Sequence, residues 1–127
     1  MNDRETIETF LGIFPCCRTV YDKHIQEYGE LLQHVFYSEV ISNPLIELLE
    51  GGADNLSVSK YAGFIELMWR EGGETAKNVV DVTILERLSD DKDTWHKFGM
   101  FISDDFRDYI NNELIPQNCA MFNVDKL

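Results

Sequence analysis

Glu30 and His34 stand four residues apart, a spacing that puts both on one face of a helix, where a carboxylate and an imidazole could begin a metal site. His24, upstream, is a third candidate donor. A structural metal needs three or four ligands and no further one can be named, so a hydrogen-bonded histidine among apolar residues is the simpler reading. Cys16 and Cys17 offer different chemistry, because Arg18 and the start of a helix beside them would lower a thiol pKa and favour the nucleophilic thiolate. No general base is placed near them by the sequence, which leaves covalent catalysis half equipped. Asp90, Asp91 and Asp93 have the look of a cation-binding loop but lack its turn glycine and its distal glutamate, and helix capping accounts for them. Gly51-Gly52 and Gly72-Gly73 follow apolar periodic stretches as helix stops and form no phosphate loop. No catalytic residue, metal or cofactor is therefore assigned, and the chain is expected to bind rather than catalyse.

The charge pattern points to what it would bind. The 127 residues carry 23 acidic and 11 basic side chains, a net charge of -12, and such a field repels phosphate backbones and anionic lipid headgroups while favouring a cationic protein. Between His24 and Ser59 there is no lysine or arginine, whereas Glu27, Glu30, Glu39, Glu47, Glu50 and Asp54 all fall there. A second acidic group, Asp90, Asp91, Asp93, Asp104, Asp105 and Asp108, is partly offset by Lys92, Lys97 and Arg107. Glu27, Glu30, Glu39, Glu47 and Asp54 are the first candidates for partner contact, and Asp90 with Asp91 the second. A solvated acidic surface that only maintains solubility is the plain alternative.

The elements that must position these residues are helical. Ile7, Phe10, Leu11 and Phe14 share one face of a first helix that Asn2 or Asp3 caps and Pro15 closes. Tyr21, Ile25, Tyr28, Leu32, Val35 and Phe36 predict a second, with Gly29 as a point where it can split; it continues toward Asn43, which then caps a short buried helix starting at Pro44. Val58, Tyr61, Ala62, Ile65, Met68 and Trp69 mark an amphipathic helix that ends at Gly72 and Gly73. The stretch from Glu74 to Leu88 is apolar over most of its circumference and predicts an enclosed central helix. Ser89, Asp90 and Asp91 supply the cap of a helix with Trp95, Phe98 and Met100, and Ser103 caps a last one with Phe106, Tyr109, Ile110 and Leu114, ended by Pro116. Tyr37, Trp69 and Trp95 suit the core better than a dimer contact. The result is an all-α single domain over 1–127, an irregular bundle of about six or seven short helices, with 116–127 as a tail that packs Met121 and Phe122 or stays loose. The odd count of cysteines, Cys16, Cys17 and Cys119, the missing signal-type leader and the lack of a membrane-length apolar run predict a reduced, cytoplasmic protein.

YGELLQHVFYSEV, from Tyr28 to Val40, and NVVDVTILERLSDDKDTWHKFGMFISDDFRDYI, from Asn78 to Ile110, resemble a bacterial family of small acidic helical proteins associated with immunity proteins of polymorphic toxin systems, including contact-dependent inhibition. The likeness rests on Tyr28-Gly29-Glu30-Leu31-Leu32, then on Asn78, Val79, Val82, Leu85 and Glu86 followed by Asp90 and Asp91. These are mainly core positions, so the resemblance implies fold more than function and transfers no set of binding residues. It implies a cytoplasmic antitoxin-like protein that neutralises a cationic toxin domain, a nuclease in the leading reading. A general interaction or adaptor domain is the first alternative, and a small enzyme using Glu30 with His34 or Cys16 with Cys17 the second.

Overall fold

The computed structural model describes residues 1–52 and 54–117, and among them every regular element is helical. Seven helices follow one another: α1 (Asp3–Ile13), α2 (Arg18–Tyr28), α3 (33–51), α4 (Asn55–Glu71), α5 (73–88), α6 (Lys92–Gly99) and α7 (104–114). Short 3-10 turns at Pro15–Cys17 and Ile115–Gln117 follow α1 and α7. Cys119, Met121 and Phe122 lie outside the described residues.

Of the expected caps those at α1, α6 and α7 are present, and Asp54 supplies one at α4 that the sequence reading did not assign. Asn2 and Glu5 form a reciprocal capping box at α1, and the side chains of Asp54, Asp91 and Ser103 accept the backbone N–H of Ser57, Thr94 and Phe106 at α4, α6 and α7. Gly29 ends α2 with φ 75°, a left-handed geometry that lets the chain turn, and its N–H closes on the Ile25 carbonyl. At the α4–α5 junction the backbone comes so close that a Cβ on Gly72 would lie 2.5 Å from both the Met68 carbonyl oxygen and the Ala76 Cβ, so only glycine fits.

The second helix splits after Gly29, at the point the sequence allowed, and the segment 29–32 is non-helical. Val35, predicted on its apolar face, does not pack there and is exposed. Nor does Pro44 start a new helix under an Asn43 cap. Asn43 is itself helical, and α3 runs through Gln33–Tyr37, a π segment Ser38–Ser42 and Asn43–Gly51. A proline inside an α-helix would press its ring on the carbonyl four residues back and leave it without a donor. Here the wider π turn, in which the Asn43 N–H reaches the Ser38 carbonyl, accommodates Pro44 without breaking the helix. Val80–Leu85 and Ile110–Leu114 are π segments too, within α5 and α7. Each extra residue in a turn rotates the apolar stripe by about 100°, which is why α5 is not enclosed as predicted and Val82 faces solvent.

α1 packs on α4 and α5; α3 meets α5 through their π segments, and its second half lies against α4 and α6. One core results, centred on Phe10, Phe36, Tyr37, Phe64, Ile65, Met68, Trp95, Phe98 and Phe106, all essentially inaccessible. Tyr37 and Trp95 are thus core residues as expected, and Trp69 is half-buried, stacked on Phe106 with ring centroids 4.8 Å apart. α2 is the outlying helix, with His24 as its one buried residue.

Candidate functional site

α2 leans on the core through Tyr21, which meets Phe36 edge-on at 5.8 Å, and through His24. The His24 imidazole is sandwiched near Tyr28 and Phe36, and its Nε2 accepts the Leu32 backbone N–H at 2.9 Å. That bond ties the 29–32 turn back to α2 and occupies the nitrogen a metal would need. His34 is elsewhere, on α3, where Nδ1 lies 2.5 Å from Thr83 Oγ1 and Nε2 3.5 Å from Asn78 Nδ2 of α5. Glu30 sits in the exposed 29–32 turn, so it and His34 do not share a helical face. The break at Gly29 is the reason, and among the described residues no three His, Cys, Asp or Glu side chains gather as a metal site.

The cysteine reading is corrected as well. Cys17 is partly covered by the core, and burial, with Cys16 next to it, pushes its thiol up to about 11, the opposite of the lowering expected from Arg18 and the helix start. The Arg18 guanidinium instead lies 5.9 Å from the Tyr21 ring centroid, and Cys17 is followed by a helix it does not cap with its side chain.

Because α3 is one long helix, it supplies lining residues throughout a groove between α2 and the start of α4. The upper part is a depression of about 540 Å³ lined by Val20, Lys23, His24, Glu27, Tyr28 and Glu39. Below it, Glu39 and Val20 recur beside Val40, Asn43, Pro44, Glu47 and Tyr61. Pro44, Glu47 and Tyr61 then recur with Phe14, Leu48 and Lys60. The shared residues place the three depressions side by side as one grooved surface, lined by Glu27, Glu39 and Glu47 and, among apolar residues, by Val20, Val40, Pro44 and Leu48. Phe14 and Tyr61 stack at 4.5 Å to form its lower wall, under the Lys60 ammonium, 5.3 Å from the Phe14 centroid.

Three of the first-choice acidic residues therefore converge. Asp54 lies beyond the groove, where its carboxylate accepts from Ser57 N and Oγ, and those bonds hold it below the usual carboxylate range. Asp91 is held low in the same way by Thr94, and Asp90 is exposed in the turn before α6. The window that lacks cations in sequence does not lack them in space: Lys23 and Lys60 line the groove from flanking chain, and Lys97 lines a neighbouring notch together with Asp54. In the second acidic group, Asp104 pairs with Arg107 at 2.6 Å and Asp105 with Arg70 at 3.6 Å. The apolar lining was missed by sequence reasoning because helical periodicity assigns such residues to the core, and no signal separates a groove lining from it.

One further carboxylate behaves differently from the capping ones. Asp81 of α5 is half-buried; its Oδ2 accepts from Tyr109 Oη at 2.7 Å, while Oδ1 is buried without a partner. Burial raises its pKa, opposed by the Tyr109 bond and by Lys77. The folded state then binds this proton more tightly than the unfolded chain, so stability falls as pH rises from the ordinary carboxyl value, about 4, through the raised folded value, and is level above it. Asp81→Asn keeps an oxygen for Tyr109 and cannot ionise. Relative to wild type it should gain stability across that acid interval and hold the gain at neutral pH, as read by urea unfolding at a series of pH values. A difference that does not change with pH would remove this assignment.

Among the described residues no helix is long and apolar enough to cross a membrane. No curated protein and no solved structure matches the chain. Residues 7–116 match the profile of a family described as a domain of unknown function, DUF7674, and over that span the chain belongs to it.

Proposed function

We propose that the chain is a cytoplasmic immunity protein that binds and neutralises a cationic toxin domain, of nuclease type, through the groove between α2, α3 and α4. The observation that carries the reading is the presence of Glu27, Glu39 and Glu47 together along one grooved, partly apolar surface. Charge steers a basic partner and sets its register, while the apolar surface beside it supplies the buried area that holds the partner. The net charge of -12 extends the attraction beyond the groove. A toxin surface shaped for a nucleic-acid backbone is basic for the same reason that this one is acidic, and occupying it removes access for the substrate. The resemblance of Tyr28–Val40 and Asn78–Ile110 to a family associated with immunity proteins, carried mainly by core positions, motivates this class of partner over a general adaptor.

The test is capture, with this protein as bait, from cells carrying a toxin locus, at low and at high salt. A basic toxin domain should be retained and lost as salt rises. The combined variant Glu27→Lys, Glu39→Lys and Glu47→Lys, all at exposed positions, should weaken binding by about 100-fold or more. Reversal at Glu71, Glu74 and Glu86, which line no part of the groove, changes the net charge equally and should cost about tenfold or less. Equal loss from both triple variants would show a net-charge effect without a site. Survival of toxin-exposed cells that lack the gene would end the immunity reading.

A further inference from the structure

The groove does not stop at Lys60. Leu48 lines both its lower end and a separate notch of about 220 Å³ walled by Leu49, Val58, Met100 and Phe101, where the end of α3 meets the starts of α4 and the α6–α7 connection. Three features mark this notch as a contact point. It is below the ~300 Å³ at which small-molecule pockets begin, and so fits one large side chain rather than a metabolite. Met100, 44% exposed, is part of its lining, and Leu56, 75% exposed and the most accessible large apolar residue among the described residues, follows the lining residue Asn55 in the chain, so both are apolar area that folding leaves in water. Its charges are matched internally: Lys97 Nζ donates to the Leu49 carbonyl at 3.1 Å at the negative end of α3, and Asp54 caps α4. The notch is thus near neutral and selects for apolar surface, while the adjoining groove is acidic.

We propose that the notch receives a single large apolar side chain, leucine, methionine or phenylalanine, from the same cationic protein whose basic residues lie along Glu47 and Glu39. This rests on the groove reading and adds to it the anchor. Interfaces draw most of their affinity from one or two residues seated in desolvated pockets, with charged contacts around them setting rate and register. Continuity through Leu48 places such a pocket at the end of the acidic track. The adaptable thioether of Met100 in its lining suits an anchor of any of the three shapes.

Two synthetic 16-residue lysine-rich peptides of equal charge, one with a terminal phenylalanine and one with serine in its place, serve as probes. Binding is read by fluorescence anisotropy, and the contact is mapped by NMR on the leucine, valine and methionine methyl groups. The phenylalanine peptide should bind about tenfold more tightly and shift the Leu49, Val58 and Met100 methyls. Leu56→Ser with Met100→Ser, both surface changes, should erase that tenfold difference and leave the serine peptide unaffected. Glu39→Lys with Glu47→Lys should weaken both peptides alike. Equal binding of the two peptides, or a phenylalanine advantage that survives the Leu56 and Met100 changes, overturns the notch while the acidic groove stands. Failure of both peptides to bind, where a basic toxin domain is captured, has the same meaning; failure of both peptides and of capture overturns the groove with it. Self-association of the free protein that is lost on the same two substitutions would assign the notch to a second copy of the chain and overturn the proposal too.

Discussion

Phe10→Ala should lower stability by about 4 kcal/mol, the upper half of what truncating a buried aromatic costs, and lower the melting temperature by roughly 10–20 °C. Phe10 is fully buried and is the ring around which the α1, α3 and α4 aromatics assemble: Phe14 lies at 5.0 Å, Phe64 at 5.1 Å, Tyr37 at 5.8 Å and Phe36 at 6.1 Å between centroids. Three of these contacts are edge-on, the orientation that the ring quadrupole favours, and each adds to the area buried. Rigid aromatics cannot collapse into the space that the missing ring leaves, so the cavity persists and the cost stays high. A domain of this size holds a total of about 5–15 kcal/mol, so the variant should be folded only marginally. Thermal and urea unfolding measure it, with Leu56→Ala, 75% exposed in the first turn of α4, as the control expected to cost about 0.5 kcal/mol or less. A shift of under about 3 °C for Phe10→Ala would mean that the cluster is not the centre of the core.

Arg107→Ala should cost about 3 kcal/mol, for a reason unrelated to ion pairing. The guanidinium of Arg107 is 2% exposed and stitches together the α6–α7 connection, donating from Nη2 to the Gly99 carbonyl at 2.6 Å and to the Ile102 carbonyl at 3.3 Å, and from Nη1 to Asp104. Asp104 itself is 85% exposed, so the pair is screened and its Coulomb attraction counts for little. What the substitution leaves behind is two inward-facing carbonyls without donors and an unfilled channel, each of which costs on the order of 1–2 kcal/mol. Arg107→Lys should recover only part of this, because a single ammonium cannot reproduce the fork. Asp104→Asn should cost under about 1 kcal/mol. If Asp104→Asn proves as damaging as Arg107→Ala, the salt bridge and not the carbonyl clamp holds the connection.

Met100, placed with Trp95 and Phe98 on the apolar face of α6, is instead its C-cap and is 44% exposed; the helix count, the capping residues Asn2, Asp91 and Ser103, and the buried faces of α1 and α4 were legible in the sequence. These depend on interactions within a few residues, and a cap followed by apolar residues at three- and four-residue spacing records them directly. The course of α3 was not. A proline after an asparagine is locally the signature of a helix start, and only the packing of α3 against α5, π segment to π segment, makes a continuous helix with a widened turn the better arrangement. The same rotation carries Val82 out of the apolar face of α5.

For the candidate site the division falls at charge. The sequence by itself determined a strong acidic excess and its concentration between His24 and Ser59, since charge is a sum over residue types and needs no fold. Which carboxylates share a surface was decided by the tertiary structure. It gathers Glu27, Glu39 and Glu47, sets Glu30 apart in a turn and commits Asp54 and Asp91 to capping. It also brings Lys23, Lys60 and Lys97 into surfaces that look purely acidic when read along the chain. Electrostatic interaction falls with distance through space and within a Debye length of about 8 Å, not with separation along the chain, so neighbours brought together by packing set the local potential.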